Sequence, residues 1–305
     1  MPFNFRSIET SLGSLVEENE DLEKLMNWEQ GKIKNKIGIE RRYLSNNEEN
    51  TETLAKSSLS KLEAVNDLDN VGLLISVTNT PNKLFPSLSH YLNSSLNLKK
   101  NIQCIGINAG CSGFTDALII SESFMIKNKC DAIIVTADTY SKYISPHNHS
   151  IRPLFSDGSA ATLLEYMDKG FFIDKSIASS EPNTEEFLIG TKDIDTKKEE
   201  ILMNGPKVLL YALNKVLPNI THILNENKVD IMFAHQAGKI VLDGIVKKIS
   251  QEVNLPTNYD RFGNLVSSSI PFLLKDNFDK LNSFNNILLS GFGVGLSQSH
   301  VLLKR

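Results

Sequence analysis

The sequence predicts an α/β protein in which short buried strands alternate with amphipathic helices. Seven segments are short, apolar and often β-branched, as buried strands are: 73–77, 103–107, 132–137, 160–165, 231–234, 287–290 and 300–303. Helical spacing of apolar residues occupies the intervening segments 51–66, 84–93, 112–128, 207–225, 238–252 and 266–277. Such alternation is typical of largely parallel sheets that are covered by helices.

Two prolines and one acidic run refine these elements. Pro206 suits a first helical turn, whereas Pro218 lies inside the segment 207–225 and should kink or divide it. The acidic run 17–24 is typical of a solvated helix start. The chain is therefore expected to hold one continuous series of strands and helices, without a low-complexity linker.

Composition excludes several classes of protein. The 305 residues are 41% hydrophobic, which suffices for one or two domains, and the formal charge of −4 does not favour a nucleic-acid partner. Three cysteines without paired spacing fit a reducing compartment better than a disulfide framework. No signal pattern is present and no apolar run approaches the roughly 18 residues that a membrane span needs. We expect a soluble cytoplasmic protein that neither binds a membrane nor holds a metal.

One cysteine lies where a strand is predicted to end and a helix to begin. Cys111 follows the apolar segment 103–107 and is flanked by small residues that leave room for a ligand. Backbone N–H groups at a helix N-terminus favour the thiolate, which is the reactive form. The alternative is a buried cysteine that acts as a small hydrophobic residue. The two interpretations are about equally supported by this segment alone.

Two further residues supply possible partners for that thiol. His235 ends the apolar segment 229–234, and Asn264 lies in a loop before the helix that contains Pro271. Taken singly, the histidine is more often structural and the asparagine more often a turn or cap residue. Taken together, a thiol can accept an acyl group, while neutral imidazole and amide N–H groups can stabilise an enolate formed beside it. The junctions at Cys111 and His235 also resemble each other, which favours a duplicated architecture with its site between the halves.

A set of short motifs extends over most of the chain, namely Lys36-Ile-Gly-Ile-Glu-Arg-Arg, Phe85-Pro-Ser, Asn108-Ala-Gly-Cys-Ser-Gly-Phe, Phe155-Ser-Asp-Gly-Ser-Ala-Ala, His235-Gln-Ala, Gly263-Asn264 and Gly291-Phe-Gly-Val-Gly. The set and its order along the chain resemble the β-ketoacyl-acyl-carrier-protein synthase III family of the thiolase superfamily. Each motif alone is weakly specific, whereas five or more in order over most of the chain are strongly specific.

This resemblance implies a fold and a set of catalytic groups. The fold is a thiolase-like five-layered αβαβα sandwich, with an N-terminal half at residues 1–168 and a C-terminal half at residues 169–305. The implied triad is Cys111, His235 and Asn264, with an oxyanion site at the Gly293–Val294 turn. Family members are homodimers, and Phe85 would then line the acyl tunnel of the other subunit.

The resemblance also implies a reaction. An acyl primer from acyl-coenzyme A or an acyl-carrier protein would load onto Cys111, and malonyl-acyl-carrier protein would lose CO₂ and attack it. Coenzyme A and phosphopantetheine thioesters are substrates here, and no permanently bound cofactor is expected. An alternative keeps the fold and Cys111 but transfers the acyl group to an alcohol or amine in a specialised pathway. A third hypothesis is a non-catalytic subunit that binds a carrier protein.

The chain departs from the family pattern at the mouth of the site. Lys32 and Lys36 occupy the positions where coenzyme A-dependent members place a tryptophan and an arginine, and Trp28 is four residues too early by this count. These lysines, with Arg152, are nonetheless candidates to bind coenzyme A or phosphopantetheine phosphates. Basic residues on the helix after His235 are candidates for carrier-protein contact, namely Lys239, Lys247 and Lys248. The alternative for the basic residues at the mouth is a solvated loop without a ligand. The alternative for the helix lysines is an ordinary solvent-exposed helix face.

Overall fold

The computed structural model describes residues 3–96, 101–192, 196, 199–249 and 252–305. The strands of these residues are β1 Phe3–Leu12, β2 Leu15–Glu18, β3 Arg41–Leu44, β4 Val71–Val77, β5 Gln103–Ile107, β6 Asp131–Asp138, β7 Gly158–Tyr166, β8 Phe172–Ser180, β9 Leu188–Lys192, β10 Glu199–Met203, β11 Ile231–Ala234, β12 Asn286–Gly293 and β13 Ser297–Lys304. The α-helices are α1 Asn19–Leu25, α2 Lys32–Ile37, α3 Thr51–Val65, α4 Leu88–Asn93, α5 Gly113–Asn128, α6 Gly205–Tyr211, α7 Leu217–Glu226, α8 Lys239–Val246, α9 Tyr259–Phe262, α10 Ser269–Asp276 and α11 Phe278–Leu281.

Two mixed sheets form the centre of the molecule. The first has the strand order β1-β7-β6-β4-β5, in which β4 runs parallel to both β6 and β5 while β7 is antiparallel to its neighbours. The second has the order β11-β12-β13-β8, in which only β11 and β12 are parallel. Strands of the first sheet all precede residue 167, and those of the second follow residue 171. We retain the two halves, 1–168 and 169–305, as a proposal.

Helices cover both sheets and also separate them. One face of the first sheet packs on α3 and α4, through residues such as Leu59 and Leu74. Its other face meets the second sheet across α5 and α10, in a core that includes Phe114 and Phe233. The outer face of the second sheet packs on α7 and α8, with Ile223 fully buried. The order of layers is therefore αβαβα, and the predicted fold class is confirmed.

The seven strands and six helices expected from the sequence are present within the residues described; β5 and β11 have the predicted ends, and the other elements have shifted ends. The expectation of largely parallel sheets is wrong, because β7 and β13, both predicted as strands, run antiparallel to β6 and β12, and because β1 and β8 add further antiparallel edges. The division at Pro218 is confirmed, since a π-helical turn at Ala212–Val216 separates α6 from α7. Residues 250 and 251, at the end of the segment 238–252, lie outside the described residues.

No helix within the described ranges is long and apolar enough to cross a membrane. The longest of them, α5, has 16 residues and is amphipathic in its burial, since one side packs between the sheets. The cytoplasmic location expected from the sequence stays a prediction.

Candidate active site

A cavity of about 480 Å³ brings the three predicted catalytic residues together. Cys111, His235 and Asn264 all line it, and all three are at least 95% buried. Trp28 and Lys32 line the same cavity, from the α1–α2 region near the surface. A ligand can therefore extend from basic groups at the mouth to the thiol at the inner end.

Cys111 lies where β5 leads through a 3₁₀ turn, Gly110–Ser112, into α5. Burial raises the pKa of its thiol to about 12, and the nearby carboxylate of Asp138 adds to this rise. Backbone N–H groups of Val294 and of Cys111 itself point at the sulfur and oppose it. The expectation that the helix terminus yields a thiolate is thus wrong for the free protein, because desolvation outweighs the backbone dipoles.

His235 immediately follows β11, whose parallel neighbour β12 holds it in place. Its backbone N–H donates to the carbonyl of Ser290 at 2.8 Å, and the edge of its ring packs on Phe292. Burial lowers the pKa of the imidazole to about 3, so the ring is neutral at physiological pH. Nδ1 is buried without a hydrogen-bond partner among the described residues. The ring is suited to donate one N–H into the cavity rather than to bear a charge.

Asn264 lies in the loop between α9 and α10, and its backbone is anchored to the loop that contains Leu154. Its N–H donates to the Leu154 carbonyl at 2.9 Å, and an isolated bridge pairs it with Phe155. The N–H of Val266 donates to Oδ1 at 2.9 Å, and Nδ2 then lies 3.5 Å from Nε2 of His235. The amide is thereby fixed with its donor end towards the imidazole.

Gly293 makes room for the nucleophile at the end of β12. A Cβ atom at this position would lie 2.7 Å from Cβ and 2.8 Å from Sγ of Cys111, closer than side-chain atoms approach one another. The next residue, Val294, supplies the N–H that points at the sulfur. The predicted Gly293–Val294 turn is therefore adjacent to the thiol, with one backbone donor directed at the sulfur.

Trp28 also lies at the mouth of the cavity, although by sequence count it stands four residues before the position of the family tryptophan. Trp28 lines the cavity, Nζ of Lys32 lies 4.1 Å from its ring centroid, and His149 packs edge-on against it at 5.5 Å. Lys36 also lines the cavity. The left-handed Gly31 starts the short helix α2 and turns the chain so that Trp28 and Lys32 meet. Sequence counting assumed a fixed spacing and could not detect this turn.

Arg152 is the predicted mouth residue that the structure places elsewhere. Its side chain is buried and forms a salt bridge with Glu17 at 2.5 Å, and it does not line the cavity. Glu17 also pairs with the fully buried Arg42 at 2.9 Å. The guanidinium of Arg152 is therefore occupied by an internal ion pair, and the prediction that it binds substrate phosphates finds no geometric support.

The remaining predicted residues lie on the surface. Lys239 begins α8, lines the cavity and pairs with Asp243 at 2.8 Å, whereas Lys247 and Lys248 are exposed in the turn after that helix. Phe85 is 83% exposed, in the loop between β4 and α4. An exposed phenylalanine of this kind is compatible with insertion into a second subunit, and that role stays a prediction.

A second cavity, of about 550 Å³, is lined by Val294 and by polar side chains that the sequence did not mark as functional. The hydroxyl of Tyr140 donates to Oδ1 of Asn79 at 3.0 Å, and the Asn79 amide donates to Asn108. Asp138, two residues before Tyr140, is fully buried. These residues end strands or follow them, where a polar side chain also suits an ordinary turn, so the sequence held no distinguishing signal.

Two family models match this chain. The first is 3-oxoacyl-[acyl-carrier-protein (ACP)] synthase III at residues 105–181, and the second is the C-terminal model of the same family at residues 221–305. Together they span the segments that contain Cys111, His235 and Asn264. A β-ketoacyl-[acyl-carrier-protein] synthase III of Streptococcus pneumoniae is 27% identical over 305 residues, covering 93% of this chain and 94% of the relative.

Solved structures give the same result at the level of the fold. A 3-oxoacyl-(acyl-carrier-protein) synthase III crystal structure superposes with a TM-score of 0.90 at 26% identity, and covers 100% of both chains. The synthase III of Aquifex aeolicus VF5 gives a TM-score of 0.88 at 25% identity, covering 99% of this chain and 100% of that one. The likeness therefore extends over the whole length of the chain.

Proposed function

We propose that this chain, which belongs to the 3-oxoacyl-[acyl-carrier-protein] synthase III family, catalyses the decarboxylative condensation of a Cys111-bound acyl primer with malonyl-acyl-carrier protein. The chain is an acyltransferase of the ketoacyl synthase III type. One observation supports the finer assignment above all others. A thiol, a neutral imidazole and a fixed amide line one cavity whose mouth is basic.

The first half-reaction is acylation of Cys111. The sulfur attacks the carbonyl of the incoming thioester, and a tetrahedral oxyanion forms beside the backbone N–H groups of Cys111 and Val294. Collapse forms the new thioester and expels the thiol of coenzyme A or phosphopantetheine, which takes up the proton that Cys111 loses. Because the pKa of the free thiol is raised to about 12, this proton must leave as the substrate binds rather than before.

The second half-reaction generates the carbon nucleophile. The malonyl carboxylate leaves as CO₂, and the electron pair of the broken C–C bond passes to an enolate oxygen. The Nδ2–H group of Asn264 and an Nε2–H group of His235 are placed to donate to that oxygen. Both groups are neutral, so neither protonates the enolate carbon before it reacts.

Condensation completes the cycle. The enolate carbon attacks the thioester carbonyl on Cys111, whose oxyanion again meets the N–H groups of Cys111 and Val294. The tetrahedral intermediate expels the Cys111 thiolate, which takes up a proton from solvent, so that the whole cycle consumes one proton. Products are a β-ketoacyl-acyl-carrier protein, CO₂ and the free carrier thiol of the primer.

The mouth supports thioesters of phosphate-bearing carriers as the substrates. Lys32 and Lys36 line the cavity entrance and are candidates to bind the phosphates of coenzyme A or phosphopantetheine. Lys239, Lys247 and Lys248 would meet an acidic carrier protein, and complementary charge would mainly raise the association rate. We also propose a homodimer, with Phe85 lining the acyl tunnel of the partner subunit.

A two-stage labelling experiment tests this function. A panel of radiolabelled acyl-coenzyme A and acyl-carrier-protein donors should leave label on Cys111, located by peptide mass spectrometry and absent from Cys111→Ala. Malonyl-carrier protein should then discharge the label and release one CO₂ per acyl group. Stable acylation with no CO₂ from a malonyl donor, and an ester or amide as product, would select transfer to an alcohol or amine instead.

A further inference from the structure

We propose that Asp138 is a positioning residue, which acts through Ser267 to hold the amide of Asn264 in its enolate-binding orientation. This inference rests on the proposed function, because it assigns Asp138 a part in the decarboxylation step. Asp138 lies at the end of β6 and does not itself line the catalytic cavity. It belongs to the first sheet, whereas Asn264 lies in the C-terminal half of the chain.

Asp138 is a fully buried carboxylate surrounded by hydrogen-bond donors. Oδ2 accepts from the hydroxyl of Ser267 at 2.5 Å and from its N–H at 3.3 Å. Oδ1 accepts from the N–H of Asn79 at 2.8 Å. No salt bridge reaches this carboxylate within the described part of the chain. The hydrogen-bond donors to this carboxylate therefore come from two loops, one that follows β4 and one that follows Asn264.

The loop after Asn264 needs such support because of its backbone conformation. Val266 has φ of +51°, a left-handed conformation that is rare for a β-branched residue and persists only when its surroundings impose it. Its N–H is the group that donates to Oδ1 of Asn264. The orientation of the catalytic amide therefore depends on a strained residue whose next neighbour, Ser267, is bound to Asp138.

A second hydrogen bond ties the same loop to the same strand. The hydroxyls of Ser268 and Thr136 lie 2.8 Å apart, so consecutive loop residues are fixed on β6 at alternate positions. The Thr136 contact is between neutral groups, whereas the Asp138 contacts are charge-assisted and roughly twice as strong. Asp138 is thus the main anchor of the turn.

The charge of Asp138 raises the pKa of the Cys111 thiol and so does not favour a direct role at the sulfur. It lies close enough to Cys111 to disfavour the thiolate, which would hinder rather than help acylation. The contacts of Asp138 lead instead, through Ser267 and Val266, to the amide of Asn264. Loss of Asp138 should therefore affect the two half-reactions in different ways.

The experiment compares both half-reactions in Asp138→Asn with those of the wild-type chain. Acylation of Cys111 should stay within about threefold or rise, whereas CO₂ release from malonyl-carrier protein should fall by at least about tenfold, a part of the 10²–10³ that loss of a whole oxyanion donor costs. Asp131→Asn is the matched control, since Asp131 is also buried and begins the same strand at its far end. It should leave both rates unchanged.

A double variant makes the test specific to positioning. In an Asn264→Ala background, adding Asp138→Asn should cause no further loss of CO₂ release, because the group that it positions is already gone. Ser267→Ala should cause a smaller loss of the same kind, in CO₂ release but not in acylation. It also keeps the test possible if Asp138→Asn fails to fold. Two results would overturn the positioning role of Asp138 and leave the proposed function intact. They are an equal loss of rate in both half-reactions, or a loss of CO₂ release in the Asn264→Ala background as large as that in the wild-type background. A wild-type chain that becomes acylated but releases no CO₂ would overturn the proposed function, and this inference with it.

Discussion

Nδ2 of Asn264 lies 3.5 Å from Nε2 of His235, and the N–H of Val266 fixes which end of the amide faces the imidazole. The two side chains come from loops that follow different elements, 29 residues apart. With the imidazole neutral, both can donate to a single oxygen placed between them and the cavity. A condensing site needs such a pair of donors, whereas a cysteine that only forms a thioester does not.

Replacing the amide should therefore affect only one half-reaction. Asn264→Ala should lower condensation by at least about a hundredfold while Cys111 is still acylated, because an enolate donor is lost but the sulfur is untouched. Asn264→Asp should be worse, since a carboxylate would repel the enolate. Single-turnover measurements of acylation and CO₂ release separate the steps, with the exposed Asn285→Ala as control. Nearly full condensation by Asn264→Ala would show that this amide does not stabilise the enolate.

The pH dependence of alkylation should report the buried state of the thiol. Because the pKa of Cys111 is raised to about 12, the thiolate fraction and the iodoacetamide reaction should rise about tenfold per pH unit from pH 7 to pH 10, without a plateau. Asp138→Asn should react faster at each pH, since the carboxylate is one cause of that rise. The rate of labelled peptide formation is the measurement. A plateau below pH 9 would show instead that the helix terminus and backbone N–H groups dominate.

Gly293 should tolerate no side chain. In Gly293→Ala the new Cβ would meet Cβ and Sγ of Cys111 at 2.7 and 2.8 Å, so the sulfur must move from its attack position. A displacement of this size should cost about a hundredfold in acylation. Gly190→Ala is the control, because its nearest neighbour would lie 4.0 Å away. Normal acylation of Gly293→Ala would mean that the loop after β12 shifts freely.

The mouth can be followed through Trp28, the single tryptophan of the chain. Binding of coenzyme A should change its fluorescence, because Trp28 lines the cavity and contacts Lys32. Lys32→Ala and Lys36→Ala should each weaken binding several-fold, and the loss should shrink at high salt as phosphate contacts are screened. Lys127→Ala, an exposed lysine at the end of α5, removes the same charge and should have no effect. Equal affinities for coenzyme A in all three variants would show that Lys32 and Lys36 are solvated and do not contact its phosphates.

Cys111, His235 and Asn264 were predictable as residues of one site, because each lies in a motif that resembles the family, and all three line one cavity. Trp28 and Arg152 were not, for two different physical reasons. The turn at Gly31 brings Trp28 to the mouth despite its sequence spacing. Arg152 does not line the cavity because its side chain forms a salt bridge with Glu17, a residue of strand β2, which the sequence did not predict. Long-range ion pairs and left-handed turns leave little local signal in a single sequence.

The edge strands β1 and β8 were missed for a related reason. Along β8 buried positions are absent and half-buried positions alternate with exposed ones, so its apolar content is too low for the strand pattern. Its place in the sheet comes from pairing with β13, more than 100 residues later. Asp138 was likewise indistinguishable from a turn residue until Ser267 was placed beside it.

The pH dependence of the free energy of unfolding should show how much the buried, ionised Asp138 destabilises the fold. Burial raises the pKa of Asp138 from 3.8 to about 6, so the folded state binds its proton more tightly than the unfolded state does. The contribution of this group to stability is then greatest below pH 3.8 and is lost as pH rises through about 6. That difference corresponds to about 3 kcal/mol at neutral pH.

Asp138→Asn does not titrate, so its free energy of unfolding relative to wild type should improve by up to about 3 kcal/mol between pH 4 and pH 7. Urea unfolding of both chains across this range measures the difference. Lost hydrogen bonds to Ser267 and Asn79 lower the stability of the variant at every pH, but they do not alter the slope. A variant that is relatively more stable at neutral pH yet slower in decarboxylation would show that the buried charge is kept for catalysis at the expense of the fold. A difference that is independent of pH would mean that Asp138 is as easily ionised in the folded chain as in the unfolded one.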